Sequence, residues 1–222
     1  MLIVRATIKW ALMFIISVSV LALPSSDEVD AFFTQKLFDK VKNEYGNKAS
    51  ELTKAWHKVI KDSRDEDNWR KINSANNFFN KNITYKRDHE HWNKKDYWAT
   101  PIESIGTGAG DCEDYAIAKY FTLKAMGIDE SKLRMMYVKA LKWNEPHMVL
   151  IYTKDKRAVP LVLDNMNPKV LPANKRRDLR PIYSFNAEGL WLAKAQGLGK
   201  KLKDSSNNSK WESLMRWIER GQ

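Results

Sequence analysis

The chain contains one cysteine, Cys112, in 222 residues. A single thiol excludes an internal disulfide framework. Histidine is nearly as scarce, with His57, His89, His91 and His147 the complete set. Any imidazole chemistry must therefore draw on one of these four. No internal repeat and no strongly low-complexity stretch is visible, which excludes repeat and linker architectures. The one glycine-rich run, Gly106-Thr107-Gly108-Ala109-Gly110, lacks the spacing and the lysine of a P-loop. It reads instead as a close backbone approach to the start of a buried helix. Acidic residues are the minority sign, 27 against 38 Lys and Arg, for a formal net charge of +11. The basic residues are scattered, and the only compact cluster is Lys175 to Arg177. That pattern describes a solvated basic surface suited to acidic targets rather than a nucleic-acid groove.

What is present is a globular composition, 43% hydrophobic and 29% charged, at a length that suits one domain with a substantial core. Long apolar runs are confined to the N-terminus. Arg5 and Lys9 precede a nearly continuous apolar stretch from Trp10 to Leu23, and Val20 and Ala22 fit the minus-three and minus-one positions of a cleavage site. This is the pattern of a secretory signal peptide over residues 1–22, and the run is short for a spanning helix. The mature chain is then 23–222. Losing Arg5 and Lys9 leaves 36 basic against 27 acidic residues, a net charge of +9. Export argues against a nucleic-acid partner. It also changes the meaning of Cys112, because an odd thiol in an exported protein suggests a reactive group or an intermolecular bond.

Hydrophobic spacing predicts helices over Asp30 to Asn43, Ala49 to Lys61 and Asp65 to Asn82, the last capped by Asp65 or Asp67. Ile83 to Thr100 has no clean periodicity and reads as an aromatic loop carrying His89, His91, Trp92, Tyr97 and Trp98. Asp111 to Met126 is the strongest helix, apolar on nearly all sides, with Asp111 as N-cap and Asp114 three residues on. Strands are expected over Leu133 to Leu141, Pro146 to Thr153 and Ala158 to Asp164. Pro160 weakens the last or places it on an edge. A short C-terminal helix is expected over Trp211 to Arg220.

Cys112 therefore sits in the first turn of a helix, where the dipole and free amides favour a thiolate and a developing oxyanion. A structural cysteine would sit more naturally on an apolar face in mid-helix. A hairpin turn centred between Asp155 and Lys156 sets His147 directly opposite Asp164, side by side on one face. That makes a base and its orienting carboxylate, and a one-residue slip would destroy it. Three carboxylates, Asp111, Glu113 and Asp114, crowd the thiol and oppose its ionisation. Helix capping accounts for Asp111 and Asp114. A bound hard cation such as calcium, which takes six to eight oxygen ligands, accounts for all three. The residues leave both readings open, with the balance of their chemistry on the side of capping.

Gly108-Ala109-Gly110-Asp111-Cys112-Glu113-Asp114-Tyr115-Ala116, with Asp96-Tyr97-Trp98-Ala99-Thr100-Pro101 upstream, closely resembles the LapG proteases, bacterial transglutaminase-like cysteine proteases of the periplasm. The resemblance implies an α+β, transglutaminase-like (papain-like) fold, with N-terminal helices packed on an antiparallel sheet. It implies a Cys112–His147–Asp164 triad. It also implies calcium held beside the nucleophile by Asp111 and Glu113, with Asp114. The substrate it implies is a large RTX-type surface adhesin, cut near its N-terminus at paired alanines and released to disperse biofilm. A LapD-like inner-membrane receptor for cyclic di-GMP is the implied controlling partner. Two other readings share these residues: a transglutaminase or amidase on the same scaffold, and a non-enzymatic calcium-dependent binding module.

Overall fold

The structure, a computed structural model, describes residues 26–186, 189–192, 201–203 and 212–214. The signal peptide expected over residues 1–22 lies outside the described residues, as does most of the expected C-terminal helix. Glu212 to Leu214 are helical, and Leu214 is buried in the core. No helix of the described residues is long and apolar enough to cross a membrane.

Four helices open the chain: α1 (Ser26–Phe32), α2 (Gln35–Tyr45), α3 (Asn47–Ser63) and α4 (Asn68–Asn82). The single helix expected from Asp30 to Asn43 is two. Thr34 breaks it, because its hydroxyl accepts from the Leu37 amide and caps α2, a local bond that competes with helix continuation. At α4 the cap is Asp67 rather than Asp65, with Oδ1 accepting from the Arg70 amide. Ile72, Ala75, Asn76 and Phe79 share its buried face as the spacing requires, whereas Trp69 is exposed.

The segment read as a loop is partly ordered into β1 (Thr84–Tyr85) and α5 (Asp88–His91). It is followed by α6 (Pro101–Thr107), β2 (Ala109–Gly110) and α7 (Cys112–Ala125). Most of the expected glycine loop is thus the end of α6 and the strand β2. The helix signal there was Thr100-Pro101-x-Glu103: Thr100 and Glu103 form a reciprocal capping box with Pro at N1. Gly108 closes α6 in the left-handed region, φ +68°. Strand β1 then pairs in parallel with β2, Tyr85 facing Gly110.

The main sheet has seven strands in the order β6-β5-β4-β3-β7-β8-β9, antiparallel throughout. These are β3 (Leu133–Ala140), β4 (Glu145–Tyr152), β5 (Leu161–Leu163), β6 (Leu171–Pro172), β7 (Leu179–Asn186), β8 (Gly189–Leu192) and β9 (Lys201–Lys203). Helix α7 lies across β4 and β3 and against α4. Met135, Met148 and Leu150 join Ile117, Tyr120 and Leu123 of α7 in one core. The alternate residues Val138, Val149, Ile151 and Val162 form a second cluster with Leu179, as the period of two in a strand demands. Burying each large aliphatic side chain of α7 contributes about 2 kcal/mol, so α7 is a rigid axle for whatever its first turn carries. Strand β5 is shorter than expected because Pro160 stays outside it, and the Pro160 carbonyl accepts instead from the Ala173 amide.

Candidate active site

Asp111 caps α7 as its position suggests: its carboxylate accepts from the Glu113 amide, and Asp114 reaches back to the Asp111 amide in a capping box. Asp114 is fully buried. Its Oδ1 accepts from the Ala99 amide at 2.8 Å and its Oδ2 from the Asp111 amide at 3.1 Å. It therefore ties the incoming Trp98-Ala99 segment to the helix start. Gly110 is required here, because a Cβ at that position would lie 2.8 Å from the Asp114 carboxylate.

Cys112 is half-buried at the first position of α7. Its thiol donates to Glu113 Oε2 at 3.0 Å, and the Met148 amide of β4 is directed at the sulfur. Burial pushes the thiol pKa well up, Glu113 and Asp111 push it further, and only the Met148 amide opposes them. The electrostatic conflict expected from the sequence is thus real.

His147, next to Met148 on β4, is 1% exposed, and so is Asp164. His147 Nε2 lies 2.8 Å from Asp164 Oδ1. The pair forms, but not by the expected register. Leu150 faces Leu163 and Ile151 faces Val162, an offset of two residues from a turn centred between Asp155 and Lys156. An even offset keeps the same side-chain face, so the imidazole meets the carboxylate diagonally from just beyond the end of β5. Asp164 is held down to about 2. Burial opposes this, but the hydrogen bond and charge of His147, the Arg176 guanidinium and the Met166 amide outweigh it. His147 Nδ1 is buried with no hydrogen-bond partner among the described residues, which leaves a ring nitrogen on the imidazole for a proton from elsewhere. Of the other histidines, His57 pairs with Asp30 at 2.7 Å and stacks on Phe33. His91 bonds Thr107, and His89 is exposed beside Glu90.

Sequence reasoning missed five residues around this centre. Asp88 and Asp96 bring two more carboxylates to Asp111, Glu113 and Asp114. Oxygens of Asp88, Asp111 and Asp114 lie within 4.8 Å of one another, as do those of Asp88, Asp96 and Glu113. Asp88 is buried and accepts from the Tyr97 amide. Among the described residues no lysine or arginine lies within salt-bridge reach of Asp111, Glu113 or Asp114. Burial, with Glu113 next, pushes Asp111 up to about 10, and burial raises Asp114 as well. Such a cluster is costly without a cation. An all-carboxylate donor set with this spacing fits a hard divalent ion with oxygen ligands at 2.3–2.6 Å. Asp96 stands inside the Asp96–Pro101 run with no role assigned to it from the sequence, and Asp88 has no signal.

The third missed residue is Tyr85. Its β1–β2 pairing sets it beside Asp111 and Cys112, both of which raise its phenol after burial does. Arg87 follows, with Nη2 3.3 Å from Glu145 at the start of β4. The fourth is Asn80 of α4, which donates to the Asp164 carbonyl at 2.8 Å. The fifth is Arg176, hidden in the run read as a solvated basic cluster. Lys175 and Arg177 are exposed, but Arg176 is 3% exposed and turned inward. Trp98 packs on Phe185, ring centroids 5.8 Å apart, as a core residue.

The comparisons with known proteins agree with this geometry. Residues 44–180 match the family described as bacterial transglutaminase-like cysteine proteinase. Calcium-bound Legionella pneumophila LapG is 38% identical with a TM-score of 0.73, over 86% of this chain and 98% of that one. A second structure of the same protein has the same identity and TM-score over 87% and 97%. Its EGTA-treated form scores 0.72 at 38% identity, again over 87% and 97%. No curated protein matches the chain. With a transglutaminase-like fold of helices on an antiparallel sheet, the chain belongs to the bacterial transglutaminase-like cysteine proteinases.

Proposed function

We propose that the protein is a calcium-dependent periplasmic cysteine endopeptidase. Cys112 is the nucleophile, His147 the base that takes its proton at Nδ1 and returns it to the leaving amine, and Asp164 the carboxylate that orients His147 through Nε2. The observation that carries this reading is the arrangement at β4. One strand directs the Met148 amide at the Cys112 sulfur and presents, one residue earlier, an imidazole already paired to a buried carboxylate at 2.8 Å. The Asp111 carboxylate occupies first-turn amides of α7, so the Cys112 amide is the oxyanion donor we assign.

Asp111 and Glu113 are the residues we assign to calcium. Asp88 and Asp96 complete the cluster, and Asp114 serves chiefly as a buried scaffold because both its oxygens already accept backbone amides. The bound ion supplies charge neutralisation beside the thiol. The calcium-bound relative at 38% identity supports this assignment. The substrate is the N-terminal region of a large RTX-type surface adhesin. Its cleavage releases the adhesin and disperses biofilm, under the control of a LapD-like inner-membrane receptor for cyclic di-GMP. The resemblance in the Asp96–Pro101 and Gly108–Ala116 motifs supports this part of the reading.

The test is cleavage of a purified adhesin N-terminal fragment bearing paired alanines, by chain 23–222, in calcium and in chelator. Calcium-dependent cutting that disappears in Cys112→Ala is the expected result. Cutting by Cys112→Ala, or undiminished cutting in excess chelator, refutes the nucleophile or the metal respectively.

A further inference from the structure

Asp164 lies one residue beyond the end of β5, where no ladder hydrogen bond fixes it. Its main chain is held from α4 by Asn80. Its carboxylate has two ends. Oδ1 meets His147 Nε2 at 2.8 Å and accepts from the Met166 amide at 2.9 Å. Oδ2 accepts from Arg176 Nη2 at 2.6 Å. Arg176 is itself fixed by Asp178, with Nε to Oδ1 at 2.9 Å and Nη2 to Oδ2 at 2.7 Å. The remaining charged group facing Asp164 is Lys119 of α7, which acts on it through space without a hydrogen bond.

We propose that Arg176 is a positioning residue of the catalytic triad, clamping Asp164 Oδ2 so that Oδ1 is held on His147. The proposal rests on the triad reading above. Without the clamp, a buried carboxylate with one satisfied oxygen would rotate toward any donor that could serve both ends, and the imidazole would lose its fixed partner. The planar guanidinium suits the task. It grips Asp178 with one edge and delivers a charge-assisted hydrogen bond to Asp164. Asp178 is exposed, so the chain Asp178–Arg176–Asp164–His147 runs from the surface to the buried imidazole.

A double-mutant cycle tests this in calcium-saturated chain 23–222, reading the second-order rate of Cys112 alkylation by iodoacetamide. Folding is checked by circular dichroism and thermal melting. Arg176→Met and Asp164→Asn are each expected to slow alkylation about tenfold or more, the size typical of lost supporting hydrogen bonds. The double variant should be no slower than Asp164→Asn, and Arg176→Lys should recover most of the rate. Arg176→Met at the wild-type rate overturns the proposal, and so does a double variant slowed by the product of the two single effects. If Arg176→Met does not fold, Asp178→Asn, which frees the outer edge of the guanidinium, replaces it in the cycle. A loss absent in the Asp164→Asn background supports the clamp, and no loss overturns it. Asp164→Asn reacting at the wild-type rate is a different result, since it removes the triad itself.

Discussion

Lys119 is the least expected charge in the molecule, and replacing it by methionine should stabilise the fold in a pH-dependent way. The side chain is fully buried in mid-α7, and its ammonium finds no hydrogen-bond acceptor among the described residues. Its ammonium lies 5.6 Å from the centroid of the Tyr115 ring. Burial lowers its pKa from 10.5 to about 7, although Asp164 pulls the other way. A base with a depressed folded pKa binds fewer protons folded than unfolded. Its cost is therefore complete below the folded pKa and vanishes above the unfolded one. At about 1.4 kcal/mol per pKa unit, the cost is about 5 kcal/mol near pH 6 and about 1 kcal/mol near pH 10. Methionine has similar length and no charge, so imperfect repacking takes back roughly 1 kcal/mol. Lys119→Met should then gain several kcal/mol over wild type near pH 6 and almost nothing near pH 10. Urea unfolding of both chains at a series of pH values, with calcium held constant, measures the difference. A gain that does not shrink as pH rises, or a loss of stability near pH 6, refutes the reasoning.

The carboxylate cluster gives the opposite slope. Asp111, raised to about 10 by burial and Glu113, binds more protons folded than unfolded. Chelator-treated protein should lose stability as pH rises from about 5 to about 8, and calcium should flatten that slope; parallel melting curves in calcium and chelator would contradict it. Calcium at 100 times its Kd should stabilise the fold by about 2.7 kcal/mol, because it binds the folded state. Asp111→Ala or Glu113→Ala should remove most of that increment in differential scanning calorimetry, with full retention counting against them as ligands. Gly110→Ala places a Cβ 2.8 Å from the Asp114 carboxylate. It should cost about 1–3 kcal/mol and weaken calcium binding, and an unchanged melting temperature would show that Asp114 can move away freely.

Local chemistry was legible in the sequence wherever one segment held all of it. The first turn of α7, with Asp111 as cap and Asp114 closing the box, follows from four consecutive residues. The His147–Asp164 pair was found for a partly wrong reason. The hairpin register is offset by two residues, and the contact survives only because an even offset preserves the face. What lay beyond reach depends on segments meeting across the fold. Asp88 comes from a stretch without periodicity and joins the cluster because the Tyr97 amide folds back onto its carboxylate. Arg176 looks like its neighbours Lys175 and Arg177 in sequence, and only the turn before β7 directs it inward. Capping and cation binding are alternatives for the three acids at Cys112 in the sequence, and the geometry separates the acids that cap from the one that does not. Asp114 is committed to backbone amides on both oxygens, and Asp111 caps with one edge. Of the three, Glu113 is the one that hydrogen-bonds the thiol. The sequence cannot separate these roles, because residues adjacent along a helix point in different directions about its axis. The acid that most directly opposes the thiolate is therefore also the one a neighbouring cation can most easily draw away.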